Sequence, residues 1–234
     1  MSQVTNLAYF YERANKVRGG RSVWVKDSNG EDRRNVLLGG TILNPNKGFG
    51  HLWAAQLVQY TPAVGCLIFR SFETSADIAA NGTTIKIKGD GYSDAPEVDQ
   101  YLMVAPASAS TSGAYAKVTA VSYDSANEEF TVTVANKLSS SKIDAGAILV
   151  EADAAADAAL AEPTGSAKVL VPNPNTFVEA DADLLPTEGY GLVGNANYSI
   201  STVYDKQAWI AKMQPLPDYV LAKNRSYIEG IFWI

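Results

Sequence analysis

The stretch YAKVTAVSYDSANEEFTVTVAN, residues 115–136, decides the fold class. AKVTAVSY alternates, DSAN supplies turn formers, and EFTVTVA alternates again. Period-two alternation on both sides of a short polar turn predicts an antiparallel β-hairpin with one face buried. The pattern extends on both sides. TTIKIKG (83–89) alternates, with Ile85 and Ile87 on one face and Lys86 and Lys88 on the other. YLMVAP (101–106) is a fully apolar strand, and AILVEA (147–152) supplies another. Together these segments predict a compact antiparallel β-barrel or sandwich over residues 82–152.

The flanks are less regular. Residues 3–18 read as a short helix or as an arm that orders against a partner. RSVWVKDSNGEDRRNVLLG reads as a hairpin whose second strand lies near Val36–Leu38. GFGHLWAAQLVQYTP carries a short helix or strand before Pro62, and GCLIFRSFET reads as one buried strand. Residues 153–165 are an Ala-rich acidic linker. VLVPNPN (169–175) reads as a strand and a Pro-stiffened turn, and NYSISTVYDKQAW (197–209) alternates again. A chain that runs into GIFWI must cover that apolar run with core or with a partner. A core strand is the expectation.

Charge divides the chain further. Residues 1–70 hold 9 Lys+Arg and 4 Asp+Glu, net +5; residues 71–190 hold 6 and 18, net −12; residues 191–234 hold 4 and 3, net +1. All 4 Trp (Trp24, Trp53, Trp209, Trp233) lie outside the acidic middle. The expected architecture is mainly β, with a base domain formed by both chain ends, 1–80 and 166–234. From it projects an inserted small antiparallel β domain, 82–152.

A net charge of −6 argues against nucleic-acid binding, which needs a basic face for phosphate. No run approaches the roughly 18 consecutive apolar residues of a membrane span. The N-terminus lacks the apolar run of a signal peptide, so synthesis in the cytosol is expected. Nucleic acid and membrane are therefore not expected partners. Cys66 sits in the apolar VGCLIF, as a buried small hydrophobe would. His51 in GFGHLW has no adjacent nucleophile, so it reads as a structural or surface His rather than part of a triad.

The acidic pairs Glu128–Glu129, Asp153–Asp157 and Asp181–Asp183 fall in turns and linker sequence, where solvated surface acids are the ordinary reading. EADAD (179–183) lacks the loop that spaces calcium ligands, and KGDGYSD (88–94) reads as a Gly-rich turn. Neither GGRS nor LLGG is a P-loop, and YGLVGNA is no dinucleotide fingerprint. The expectation is therefore no enzyme, no metal and no cofactor.

The residues that stand out are aromatic and Arg. Tyr9, Phe10, Tyr11, Arg13, Arg18, Arg21 and Trp24 lie near one end, with Arg33 and Arg34 following. Trp209, Phe232 and Trp233 lie near the other. Tyr, Trp and Arg dominate interface hot spots, so these are the candidate partner-docking residues. Filling the core is the alternative role for each Trp.

The chain resembles accessory virion proteins of tailed bacteriophages, in particular the head-fibre or capsid-auxiliary proteins of crAss-like phages. Three stretches carry the resemblance. They are the β unit NGTTIKIKGDG…YLMVAP…AKVTAVSYDSANEEFTVTVAN…GAILVEA, the N-terminal NLAYFYERANKVRGGRSVWV, and the C-terminal YSISTVYDKQAWIAKMQPLPDYVLAKNRSYIEGIFWI. The resemblance implies a virion location and a homo-oligomer in many copies. Its ends would seat on the major capsid or a neighbouring virion protein, and its acidic β unit would face outward. It transfers no catalytic residue. Unlike long fibre proteins, the chain has no collagen-like or repeated shaft. Two other readings of the residues stand beside it. A carbohydrate-binding surface module would need a flat aromatic row from Tyr92, Tyr101, Tyr115 and Tyr123; a hydrolase would need its surface carboxylates organised in a cleft.

Overall fold

The computed structural model describes residues 37–41, 51–52, 55–61, 65–89, 96–154, 166–178, 182–183, 199–203, 207–208, 213–222 and 232–233. The expected N-terminal helix or arm (3–18), the first strand of the early hairpin and most of the Ala-rich linker lie outside them. The described chain is mainly β, built from antiparallel sheets.

The strands of the predicted hairpin are present: β8 is Tyr115–Asp124 and β9 is Glu129–Val134. Phe130, Val132 and Val134 point inward from β9 and are buried. On β8 the alternation is not strict. The inward residues Val118 and Val121 are three apart, and the register jumps from Val118↔Val134 to Ala120↔Thr133. Thr119 is the extra residue of a β-bulge, which resets parity so that Val121 still faces inward.

Around this hairpin pair β6 (Thr84–Lys88), β7 (Tyr101–Val104), β10 (Ile148–Asp153), β5 (Ser71–Glu73) and β11 (Lys168–Val169). They form a seven-stranded sheet in the order β11-β10-β7-β8-β9-β6, with β5 also on β10. A bridge between Thr74 and Ile87 of β6 carries the pairing on from β5, so the path runs in a ring back to β10. The ring encloses an apolar core that includes Phe72, Ile85, Ile87, Leu102, Phe130 and Leu149. Gly89 closes the end of β6 on the hairpin turn. Its N–H donates to Glu128 O at 2.7 Å, and a Cβ there would sit 2.8 Å from that oxygen.

The second sheet has five strands, β1 (Leu37–Thr41), β14 (Ser199–Val203), β12 (Thr176–Val178), β3 (Leu57–Thr61) and β4 (Gly65–Ile68), in that spatial order. β2 (His51–Leu52) pairs β13 (Ala182–Asp183), and β15 (Gln207–Ala208) pairs β16 (Phe232–Trp233) in parallel. The one helix among the described residues, α1 (Asp218–Leu221), follows Pro217.

Sequence reading differs from the structure at several points; VLVPNPN, for one, gives only Val169 to a strand, β11. GCLIFRSFET is not one strand. It breaks at Phe69–Arg70, leaving β4 in the five-stranded sheet and β5 in the seven-stranded one. An apolar run reads as one element because both halves are buried, although they belong to different sheets. Likewise β5 and β11, which boundaries at 80 and 166 assign to the chain ends, both pair with β10.

The two sheets share a further apolar layer. β7, β8 and β10 turn Met103, Tyr115 and Val150 outward from the ring, against Leu57, Phe69 and Phe177. Adjacent residues on β7 therefore serve two cores: Leu102 the ring, Met103 the layer between sheets. That is why YLMV carries no polar position.

Candidate functional site

The acidic middle is inserted at one place in the five-stranded sheet. The chain leaves it at Ile68 on β4 and returns at Thr176 on β12, and both strands flank β3. Neighbouring strands lie about 4.8 Å apart, so departure and return are separated by roughly two strand spacings. Both crossings are tied to β3. Phe69 N–H donates to Leu57 O at 2.9 Å, and Asn175 N–H donates to Val58 O at 3.0 Å. The Asn175 side chain imitates a strand neighbour, accepting from Tyr60 N–H at 2.7 Å and donating to Tyr60 O at 2.9 Å.

Buried polar groups gather at the crossing Phe69–Ser71. Arg70, Ser71, Glu151 and Gln214 are all buried. Gln214 Nε2 donates to Phe69 O at 2.9 Å, and Ser71 Oγ donates to Pro215 O. The pairing of Val150 with Ser71 brings Glu151 and Arg70 to neighbouring positions on facing strands. Their signal was in the sequence: a charge interrupts an apolar run in LIFRSF and again in ILVEA. Charged residues in strand interiors are rarely buried without a structural reason.

The outer surface of the ring is covered by ion pairs. Lys86 meets Glu129 at 2.7 Å and Thr131 at 2.8 Å, and Glu129 also accepts from Ser75 Oγ. Lys88 pairs Glu73, Lys117 pairs Asp99 at 2.6 Å, and Lys142 lies between Asp77 at 2.9 Å and Asp144 at 2.7 Å. The Lys86 ammonium, then the Ser75 hydroxyl, hold the Glu129 carboxyl below its usual range. Lys142, then the Ala145 N–H, do the same for Asp77. Asp124 is lowered by the Asn127 side chain and by the turn N–H groups of Asn127 and Ala126. Lys117 is raised by its bond to Asp99, and Lys142 by Asp144 and then Asp77. These are solvent-screened pairs that stabilise little individually. Their chemistry is mutual neutralisation of a lysine minority within an acidic unit.

Of the candidate docking residues, Tyr9, Phe10, Tyr11, Arg13, Arg18, Arg21, Trp24 and Trp209 lie outside the described residues. Phe232 and Trp233 form β16 and stand opposite Gln207 and Ala208 in register. His51 in β2 stands opposite Asp183, and Cys66 in β4 opposite Tyr60. Tyr92 also lies outside the described residues. The other three middle tyrosines do not form a row. Tyr101 and Tyr115 meet edge to face at 5.7 Å beside the layer between the sheets, and Tyr123 lies 4.8 Å from Phe130 against the ring core. Their ring faces are used in packing.

Among the described residues no group of three or more His, Cys, Asp or Glu is disposed to hold a metal ion, and no helix is long and apolar enough to cross a membrane. Comparison with known proteins finds no family model, no curated protein and no solved structure that matches the chain.

Proposed function

We propose that the chain is a non-enzymatic structural protein of a virion, attached to a phage capsid as an auxiliary, decoration or head-fibre component. In this reading the basic, aromatic ends dock on the major capsid protein or a neighbouring virion protein, in many copies. The acidic β unit faces outward. One observation carries it. The described strands of the five-stranded sheet come only from 37–68 and 176–203, while every strand of the other comes from 71–169. The acidic unit is thus a sheet of its own, inserted between two strands that flank β3. Charge on the outward part limits adhesion between particles, and apolar and cationic groups on the other part supply docking contacts.

Co-sedimentation tests this. The purified full chain is mixed with capsids stripped of accessory proteins, beside an Arg13→Glu, Arg18→Glu, Arg21→Glu variant. The wild type is expected to pellet with the capsids and the variant to remain in the supernatant. A wild type that stays in the supernatant, and stays monomeric by light scattering at every concentration, refutes the proposal.

A further inference from the structure

We infer that Met213–Ala222 is a detachable strap that latches the acidic unit against the five-stranded sheet, poised to open while both sheets remain folded. This inference rests on the strap's own geometry and stands whatever the chain assembles with.

The strap lies over the crossing between the sheets. Met213, Leu216, Tyr219 and Val220 are buried in the layer that the two sheets share. Tyr219 meets Phe69 edge to face at 6.4 Å. Gln214 bonds Phe69 O at 2.9 Å and Ser71 Oγ at 3.4 Å, and Ser71 Oγ returns a bond to Pro215 O. These polar contacts of the latch fall on the residues where the chain changes sheet. It touches both sides of the crossing without joining either sheet by strand pairing.

Three features make the latch weak. Its helix is one turn of four residues, Asp218–Leu221, too short to persist undocked. Pro217 at its N-cap offers no side-chain hydrogen bond, and its last turn holds no basic residue. Most telling, the Tyr219 hydroxyl is buried with no hydrogen-bond partner. Burial pushes that phenol's pKa upward, so it stays protonated and cannot escape the mismatch by ionising at ordinary pH. A buried donor left unpaired penalises the docked state alone, since opening returns it to water. By contrast, the ring core is apolar, and β9 is paired with a strand on each side. Local stability follows such differences, so the strap belongs at the low end of the opening scale.

Amide exchange of the full chain, followed by NMR, tests the strap against a rigid interior. The reporters are Val220 and Leu221, whose N–H groups bond Pro217 O, and the β9 amides of Val132 and Phe130. In the wild type the strap amides are expected to exchange far faster than the β9 amides. Tyr219→Phe keeps the ring and removes the unpaired hydroxyl. It should slow the strap amides by about 5- to 150-fold and leave β9 unchanged. Gln214→Ala should speed them and again leave β9 unchanged. Strap amides that exchange at the β9 rate in the wild type overturn the inference, as does a Tyr219→Phe variant whose strap amides exchange as fast as, or faster than, those of the wild type.

Discussion

Leu102 and Met103 are consecutive on β7, both fully buried, and face opposite ways. Replacing each by Ala separates the two cores. Leu102→Ala removes three carbons from the ring interior. At about 0.8 kcal/mol per methylene plus the cavity that remains, destabilisation of about 3 kcal/mol is expected, within a range of about 2–5. Met103→Ala removes a similar volume from the layer between sheets, including the methyl that lies 3.0 Å from where a Cβ on Gly113 would stand. Its destabilisation should be of the same size. For a chain of this length, about 3 kcal/mol lowers the melting temperature by roughly 6–12 °C. The assay is amide exchange, which resolves where stability is lost. Leu102→Ala should raise exchange across β6, β8 and β9 by about 150-fold. Met103→Ala should raise it at Phe69 and Leu170, whose N–H groups bond Leu57 O and Glu151 O, and at the strap, leaving β9 near the wild-type rate. If Met103→Ala accelerates β9 as much as Leu102→Ala does, the two apolar clusters are one cooperative core and the reasoning fails.

Other substitutions probe particular contacts. Gly89→Ala places a methyl 2.8 Å from Glu128 O and from the Tyr123 ring, so a loss of about 1–3 kcal/mol is expected in denaturant unfolding. Asn175→Ala removes both bonds to Tyr60 and should lose about 1–3 kcal/mol, whereas Asn175→Asp keeps the acceptor and should lose less; equal losses would show that the retained acceptor contributes nothing. Deleting Thr119 removes the extra residue of the bulge, so Val118 and Val121 should both stay inward in an unbroken register with β9; an amide spectrum broadened throughout would show that the fold needs the bulge. Stability also depends on pH at both extremes. Glu129, Asp77 and Asp124 have depressed folded pKa values, so their contribution is present above the ordinary values of 4.5 and 3.8. It is lost as pH falls below them. Lys117 and Lys142 are raised, so their contribution is complete below 10.5 and is lost as pH rises beyond it. A plateau in melting temperature between those limits, falling at both ends, is the expected profile.

The sequence by itself determined the mainly β class and most strands of the acidic middle. TTIKIK and EFTVTV each carry a local period that follows from side chains alternating across a strand, YLMV is read from its continuous apolar run, and β6, β9 and β7 lie at those segments. Charge segregation was legible for the same reason, being a property of the chain before it folds. The tertiary structure alone decided the rest. That β1 lies beside β14, and β3 beside β12, depends on residues more than a hundred positions apart, and no local pattern encodes a partner at that distance. The bulge at Thr119 hid within an apparent alternation, since three-residue spacing looks irregular until the partner strand fixes which residues share a face. The break at Phe69–Arg70 hid within an apolar run, because burial erases the contrast by which strand ends are read. The strap over that break is written in MQPLPDYVLA as two prolines and scattered apolar residues. Only the apolar layer between the two sheets gives those side chains a common place to go.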